Sequence, residues 1–247
     1  MTLASRSAIR RRALPSTDMP GLADTRHLPD QEFAQAWDPI ILADDVKARL
    51  VRQAVSVLTL RPEVPFELLP LQGVLLLVGP PGAGRTTVAR GLADRIAQVV
   101  SGLGEFAYIE LDPHALTSSS LGRSQRAVEH LFSEVLEEQA SIGPLIVLID
   151  EVETIATDRS QLSLEANPVD VIRAVDAALV GLDRLARKFS NVLILATSNC
   201  TTRSTPRCAP APTSSARCRC RTPKRVDSSS SRPSRLSARS SRAHVAC

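Results

Sequence analysis

Apolar positions along this chain follow two alternating rhythms, and the alternation predicts the fold. Val46, Leu50, Ala54, Val57 and Leu58 recur at near-helical spacing, which predicts an amphipathic helix over about 44–60. Pro62 and Pro65 then mark a turn. Val74–Val78 is an uninterrupted apolar run between Gly73 and Gly79, the pattern of a parallel strand buried on both faces. A helix with Val88, Leu92, Ile96 and Val99 on one side follows, and Phe106–Leu111 reads as a second strand. From Ser124 onward, Val128, Leu131, Phe132, Val135 and Leu136 keep the spacing of a buried helical stripe. Ile146–Ile149 is a third strand, a helix of about 168–188 carries Ile172, Val175, Leu179, Leu182 and Leu185, and Val192–Ala196 is a fourth strand. Apolar strands alternating with helices of this length predict an α/β fold, a parallel sheet with helices on both faces. Right-handed crossovers then gather the C-terminal ends of the strands, and any ligand site, at one edge.

Two stretches fall outside this rhythm. Residues 1–30 mix Arg, Pro, Thr and Asp without a period and are expected to form a mobile N-terminal arm ahead of a core over 31–199. Residues 200–247 hold eleven serines, repeated Pro and scattered Arg with no aromatic, and are expected to be disordered. Composition sharpens that boundary. The 247 residues carry a formal charge of only +4, yet residues 200–247 hold 11 of the 30 Lys and Arg and one of the 26 acids. The tail is therefore +10 and residues 1–199 are −6. All five cysteines (Cys200, Cys208, Cys218, Cys220 and Cys247) lie in the tail as well. Cys218-x-Cys220 lacks the two-residue spacer of a zinc pair, which argues against a metal site there. So basic a tail would attract phosphates without regard to sequence, but it has no aromatic on which bases could stack, so a nucleic-acid partner is not expected. The abrupt change directly after the fourth strand suggests a shifted reading frame. No run of about 18 apolar residues occurs and no apolar segment follows Arg10, Arg11 and Arg12, so neither a membrane span nor a secretory signal is expected.

The chemistry concentrates at the ends of the predicted strands. Gly79-Pro80-Pro81-Gly82-Ala83-Gly84-Arg85-Thr86 has the spacing of a phosphate-binding loop between a buried strand and a helix. Its glycines let backbone N–H groups turn toward phosphate oxygens, and the helix start adds its positive end. Thr86 supplies the hydroxyl expected on Mg²⁺, and Thr87 completes the candidate nucleotide-binding set. Arg85 stands where the pattern has lysine, so a planar fork replaces a compact point charge. Such a loop is expected to bind nucleotide weakly and to hydrolyse it slowly. At the end of the third strand, Asp150 is placed to hold Mg²⁺ through water and Glu151 to activate a water molecule. A solvated acidic turn would look the same in isolation; the phosphate loop some way upstream favours the chemical reading. Asn199 closes the fourth strand, either as a sensor of the γ-phosphate or as a turn cap.

Three ordered segments, GPPGAGRT, LIVLIDE and ATSN, resemble those of the AAA+ ATPases, whose first two are the Walker A and Walker B elements. Within that superfamily the chain resembles the pachytene-checkpoint (thyroid-receptor-interactor) branch and its bacterial relatives. Trp37-Asp38-Pro39-Ile40 with the Lys47–Leu50 helix, Ile149–Ile155, and Asn167–Leu179 carry this closer resemblance, which covers about residues 36–199. It implies a P-loop NTPase sandwich, the incomplete large subdomain of an AAA+ protein, with strand order 5-1-4-3-2. It further implies ATP and Mg²⁺ as cofactors, assembly into a homo-hexamer in the cytoplasm, and hydrolysis coupled to remodelling of a HORMA-domain partner. By the same resemblance Ser118-Ser119-Ser120-Leu121-Gly122 is the pore loop. The family usually offers an aromatic there, and Leu121 stands in this sequence either as the gripping residue or as a minor buried leucine. The fifth strand, arginine finger and helical lid that should follow Asn199 have no recognisable counterpart in the tail. If the tail forms no strand, the strand before the phosphate loop keeps an open apolar edge. The alternative function is a nucleotide-binding regulatory subunit that does not hydrolyse.

Overall fold

The computed structural model describes residues 12–64, 68, 71, 73–117, 124–155, 169–199 and 217–219. The expected pore loop, and the tail apart from Arg217–Arg219, lie outside the described residues. Six strands form one sheet in the order β1-β3-β4-β5-β2-β6, with β1 Leu22–Leu28, β2 Val74–Val78, β3 Phe106–Leu111, β4 Leu145–Ile149, β5 Val192–Ser198 and β6 Arg217–Arg219. The four strands expected from the apolar runs are present and mutually parallel, joined as β2·β5, β5·β4 and β4·β3. Every residue of β3, β4 and β5 is buried, which is why their sequences show no alternation.

Helices cover both faces and make three layers. On one face α2 (Asp44–Leu60) and α3 (Arg85–Val99) bury Leu50, Ala54, Leu58, Val88, Leu92 and Ile96 against Leu75, Leu77, Phe106, Tyr108, Ile146, Leu148, Leu193 and Leu195 of the sheet. On the other face α5 (Ser124–His130), its continuation through a π-turn at Leu131–Leu136 into α6 (Glu137–Ile142), and α7 (Val169–Lys188) pack on Ile109, Leu111, Val147, Ile149 and Ile194. Short helices α1 (Gln31–Trp37) and α4 (Pro113–Thr117) complete the set. Close approach sets some of this packing. A Cβ on Gly181 of α7 would come within 2.5 Å of the Phe132 ring, and one on Gly91 of α3 would lie 3.0 Å from the Trp37 indole. Lys47 fixes that indole further, with its ammonium 5.4 Å from the ring centroid and 3.2 Å from the Trp37 carbonyl. Val99, expected on the buried stripe, is 51% exposed because α3 ends there, and Val100 turns inward instead.

Two expectations need correction. Residues 12–30 are not a mobile arm: β1 pairs antiparallel with β3, and Arg12 donates to the carbonyls of Gln139 and Pro144 at 3.1 and 2.8 Å. The reason is positional. As an edge strand β1 buries only Leu22 and Leu28 at its ends, so Asp24-Thr25-Arg26-His27 gives it no apolar rhythm. A salt-bridge cluster of Arg26 with Asp24, Asp30 and Glu32 holds it instead. Nor is the far edge of β2 bare. Arg217–Arg219 pair parallel with Leu76–Val78, so the tail supplies a three-residue strand in the position of the fifth strand expected there.

Candidate nucleotide-binding site

The site lies where β2, β4 and β5 end beside the start of α3. Leu75 and Leu77 bury β2, and the chain then leaves the sheet at Gly79, whose N–H donates to the Ser198 carbonyl at 3.2 Å. The loop folds back through a bond from the Ala83 N–H to the Pro80 carbonyl, 3.2 Å. Gly82 and Gly84 adopt left-handed φ values of 75° and 72°. A Cβ at either would meet no atom within 4 Å, so backbone conformation and not crowding requires glycine, and the loop's inner face is open. Gly84 caps α3 without a side-chain hydrogen bond, leaving the first-turn N–H groups of Arg85, Thr86 and Thr87 directed out of the helix start toward the loop.

Opposite the loop, the structure brings three of the expected residues into one connected group. The Thr86 hydroxyl donates to Asp150 Oδ2 at 2.8 Å. The other oxygen of Asp150 accepts from the Thr197 hydroxyl, which is wholly buried and itself accepts from the Glu151 N–H at 2.9 Å. Glu151 is the one non-glycine residue with positive φ among those described (φ 51°, ψ 56°). Its half-exposed side chain places Oε2 3.9 Å from His114 Nε2. A left-handed backbone at a non-glycine residue persists only where its surroundings hold it; here Thr197 holds the N–H, and the carbonyl accepts from Thr154 at 2.8 Å.

Thr86 and Asp150 suit a magnesium ion. Thr86 Oγ1 and Asp150 Oδ2 are hard oxygens of the kind that would hold Mg²⁺, the hydroxyl directly and the carboxylate through water, and they lie within hydrogen-bond distance, 2.8 Å, at the mouth of the loop. Asn199 stands half-buried at the same edge, outside that connected group, with its N–H donating to Glu153 Oε1 at 2.9 Å. Arg85 behaves differently from the rest. It is 8% exposed, and its Nη1 donates to the Gly79 carbonyl at 2.8 Å.

One turn beyond Thr86, Arg90 fastens α3 to β3. Its Nε and Nη2 reach both oxygens of Glu110 at 3.0 and 2.8 Å, and the Tyr108 hydroxyl donates to the same carboxylate at 2.6 Å. Burial, reinforced by the Glu110 charge, pushes the Tyr108 hydroxyl far above its ordinary range, so it stays a donor. The bond to Glu110 likewise raises Arg90. Reading the sequence missed Thr197, Glu153 and His114 as members of the site. Thr197 alone had a usable signal, since it belongs to the ATSN segment at the end of β5.

Residues 75–210 match the model of the ATPase family associated with various cellular activities (AAA). The chain is 52% identical over 188 residues to CD-NTase-associated protein 6 of Pseudomonas aeruginosa, covering 75% of this chain and 62% of that protein. It is 36% identical over 178 residues to the pachytene checkpoint protein 2 homolog of Arabidopsis thaliana, covering 71% and 38% respectively. Among solved structures, C. elegans PCH-2 aligns with a TM-score of 0.60 and 29% identity over 73% of this chain and 45% of that one. A chain of the E. coli MS115-1 HORMA:CdnC:Trip13 complex shares the fold, with a TM-score of 0.59 and 20% identity over 76% and 66%. The chain therefore spans less than two thirds of the length of these curated relatives. With the family model covering more than half of its residues, and a phosphate loop facing two strand-end carboxylates, the chain belongs to the AAA family of ATPases.

Proposed function

We propose that this chain is the ATP-binding and ATP-hydrolysing core of a cytoplasmic, hexamer-forming remodeller that acts on a HORMA-domain protein. The observation that carries the chemical half is the connected group Thr86–Asp150–Thr197–Glu151 facing an open phosphate loop. The partner half rests on the relatives: a chain of the same fold belongs to a HORMA:CdnC:Trip13 complex, and other relatives are pachytene checkpoint proteins. No helix among the described residues is long and apolar enough to cross a membrane.

The residues divide the work as follows. Backbone N–H groups of Pro81-flanked Gly82 through Thr87 and the start of α3 bind the phosphates. Thr86, and Asp150 through water, would hold magnesium, which would supply charge neutralisation on the phosphates. Glu151, presented by its left-handed backbone, orients a water against the γ-phosphorus and accepts its proton. Asn199 reports on the γ-phosphate from the end of β5. Glu151→Gln removes the proton acceptor but keeps the shape. It is expected to retain Mg·ATP, to lower phosphate release by about 10²-fold or more, and to hold a purified HORMA-domain protein in an ATP-dependent complex. Unchanged phosphate release would refute the role of Glu151; release that falls without nucleotide-dependent capture would refute the partner.

A further inference from the structure

We propose that Arg85 is a latch that closes the phosphate loop on itself, and not a ligand of the terminal phosphate. The inference rests on reading the loop as the nucleotide site. Arg85 is the first residue of α3, and its Nη1 reaches back six residues to the carbonyl of Gly79, the first residue of the loop, at 2.8 Å. Its Cγ and Cδ run alongside that glycine, 3.5–3.6 Å from where a Cβ would stand. Because the Gly79 N–H is already bound to Ser198 of β5, the bond from Arg85 ties the helix start, through Gly79, to the sheet. The two ends of the loop are joined below it, while Gly82 and Gly84 face open space above. The phosphate-facing amides are therefore in place before any nucleotide arrives.

A guanidinium suits this task and is ill suited to the other. Its donors lie in one plane in fixed directions, so seating one arm on a buried carbonyl fixes the plane. It cannot follow charge as it develops on a γ-phosphate without leaving Gly79. A lysine ammonium is compact, rotates freely on its stem and can move with the phosphoryl group. The chain thus gains a preformed loop and loses the mobile cation that stabilises the transition state. Two consequences follow. Di- and triphosphates are held by the same amides and discriminated little. Exchanging the arginine for lysine moves loop stability and turnover in opposite directions.

The test compares the full chain with Arg85→Lys and Arg85→Ala. Without nucleotide, both variants are expected to melt about 3–6 °C below the parent. In single-turnover phosphate release with Mg·ATP, Arg85→Lys is expected to exceed the parent at least about tenfold, and Arg85→Ala is not. Fluorescent ADP and a non-hydrolysable ATP analogue are expected to bind the parent within about threefold of each other. A lysine variant as heat-stable as the parent overturns the latch. So does a lysine variant with no gain in turnover, because the arginine would then serve the γ-phosphate as well as lysine does. If none of the three proteins binds either nucleotide, the reading of the loop as a nucleotide site fails, and the melting comparison still decides whether Arg85 is a latch.

Discussion

Thr197→Val should abolish most Mg²⁺-dependent nucleotide affinity and lower hydrolysis by about 10²-fold, while costing about 2–4 kcal/mol of stability. The side chain is wholly buried, so valine fits the space and the effect isolates the hydroxyl. That one oxygen makes two bonds of opposite sense, donating to Asp150 and accepting from the Glu151 N–H at 2.9 Å. Without it an Asp150 carboxylate oxygen and the Glu151 amide, both on half-buried residues, lose a partner, each loss worth about 1–2 kcal/mol. Asp150 is then held by Thr86 alone and drifts from the magnesium position, and Glu151 is free to leave its left-handed conformation. Thr197→Ser keeps the oxygen and should stay near the parent in both respects. Urea denaturation and Mg²⁺ titration of a fluorescent ATP analogue check this directly. Valine and serine variants that behave alike would show that Thr197 is only a packing residue.

Arg61→Ala should cost about 3–4 kcal/mol, the larger of the effects on stability alone. Arg61 ends α2, and its guanidinium spans the carbonyls that finish α7 and start β5. Nη2 donates to Ala186 and to Phe189 (3.1 Å), and Nη1 to Val192 at 2.6 Å and Ser190 at 3.4 Å. No carboxylate accompanies it in that set. Burial lowers its pKa from the usual arginine value, and the negative end of α7 supplies the compensating field. Gly73 leaves the room: a Cβ there would stand 2.2 Å from Arg61 Nη1, on a backbone already at φ 68°. Arg61→Lys should recover only part of the loss, because a single ammonium cannot span four carbonyls. The midpoint of thermal or urea unfolding checks both variants. An alanine variant within about 1 kcal/mol of the parent would mean that water replaces the guanidinium.

Much of this fold was legible because parallel strands covered on both faces must be apolar throughout. Val74–Val78, Phe106–Leu111, Ile146–Ile149 and Val192–Ala196 announced themselves that way, and the glycine spacing placed the phosphate loop between strand and helix. Strand β1 was invisible for the converse reason. It is an edge held by ion pairs around Arg26, and its sequence carries no periodic apolar mark. Three-residue β6 is too short for any pattern to show. At the site, Thr86, Asp150 and Glu151 could be named from spacing, but Thr197 gains its meaning only from the register that sets β5 beside β4. Arg85 could be seen as a departure from lysine. Only the structure shows its guanidinium bonded to the Gly79 carbonyl.

Calorimetric titration of the full chain with ATP, with and without Mg²⁺ and alongside Thr86→Ala, tests the nucleotide site most directly. Saturable one-to-one binding at sub-millimolar nucleotide is predicted, strengthened by Mg²⁺ in the parent and unaffected by it in Thr86→Ala. Absence of saturable binding, or binding that ignores both Mg²⁺ and Thr86, would contradict it.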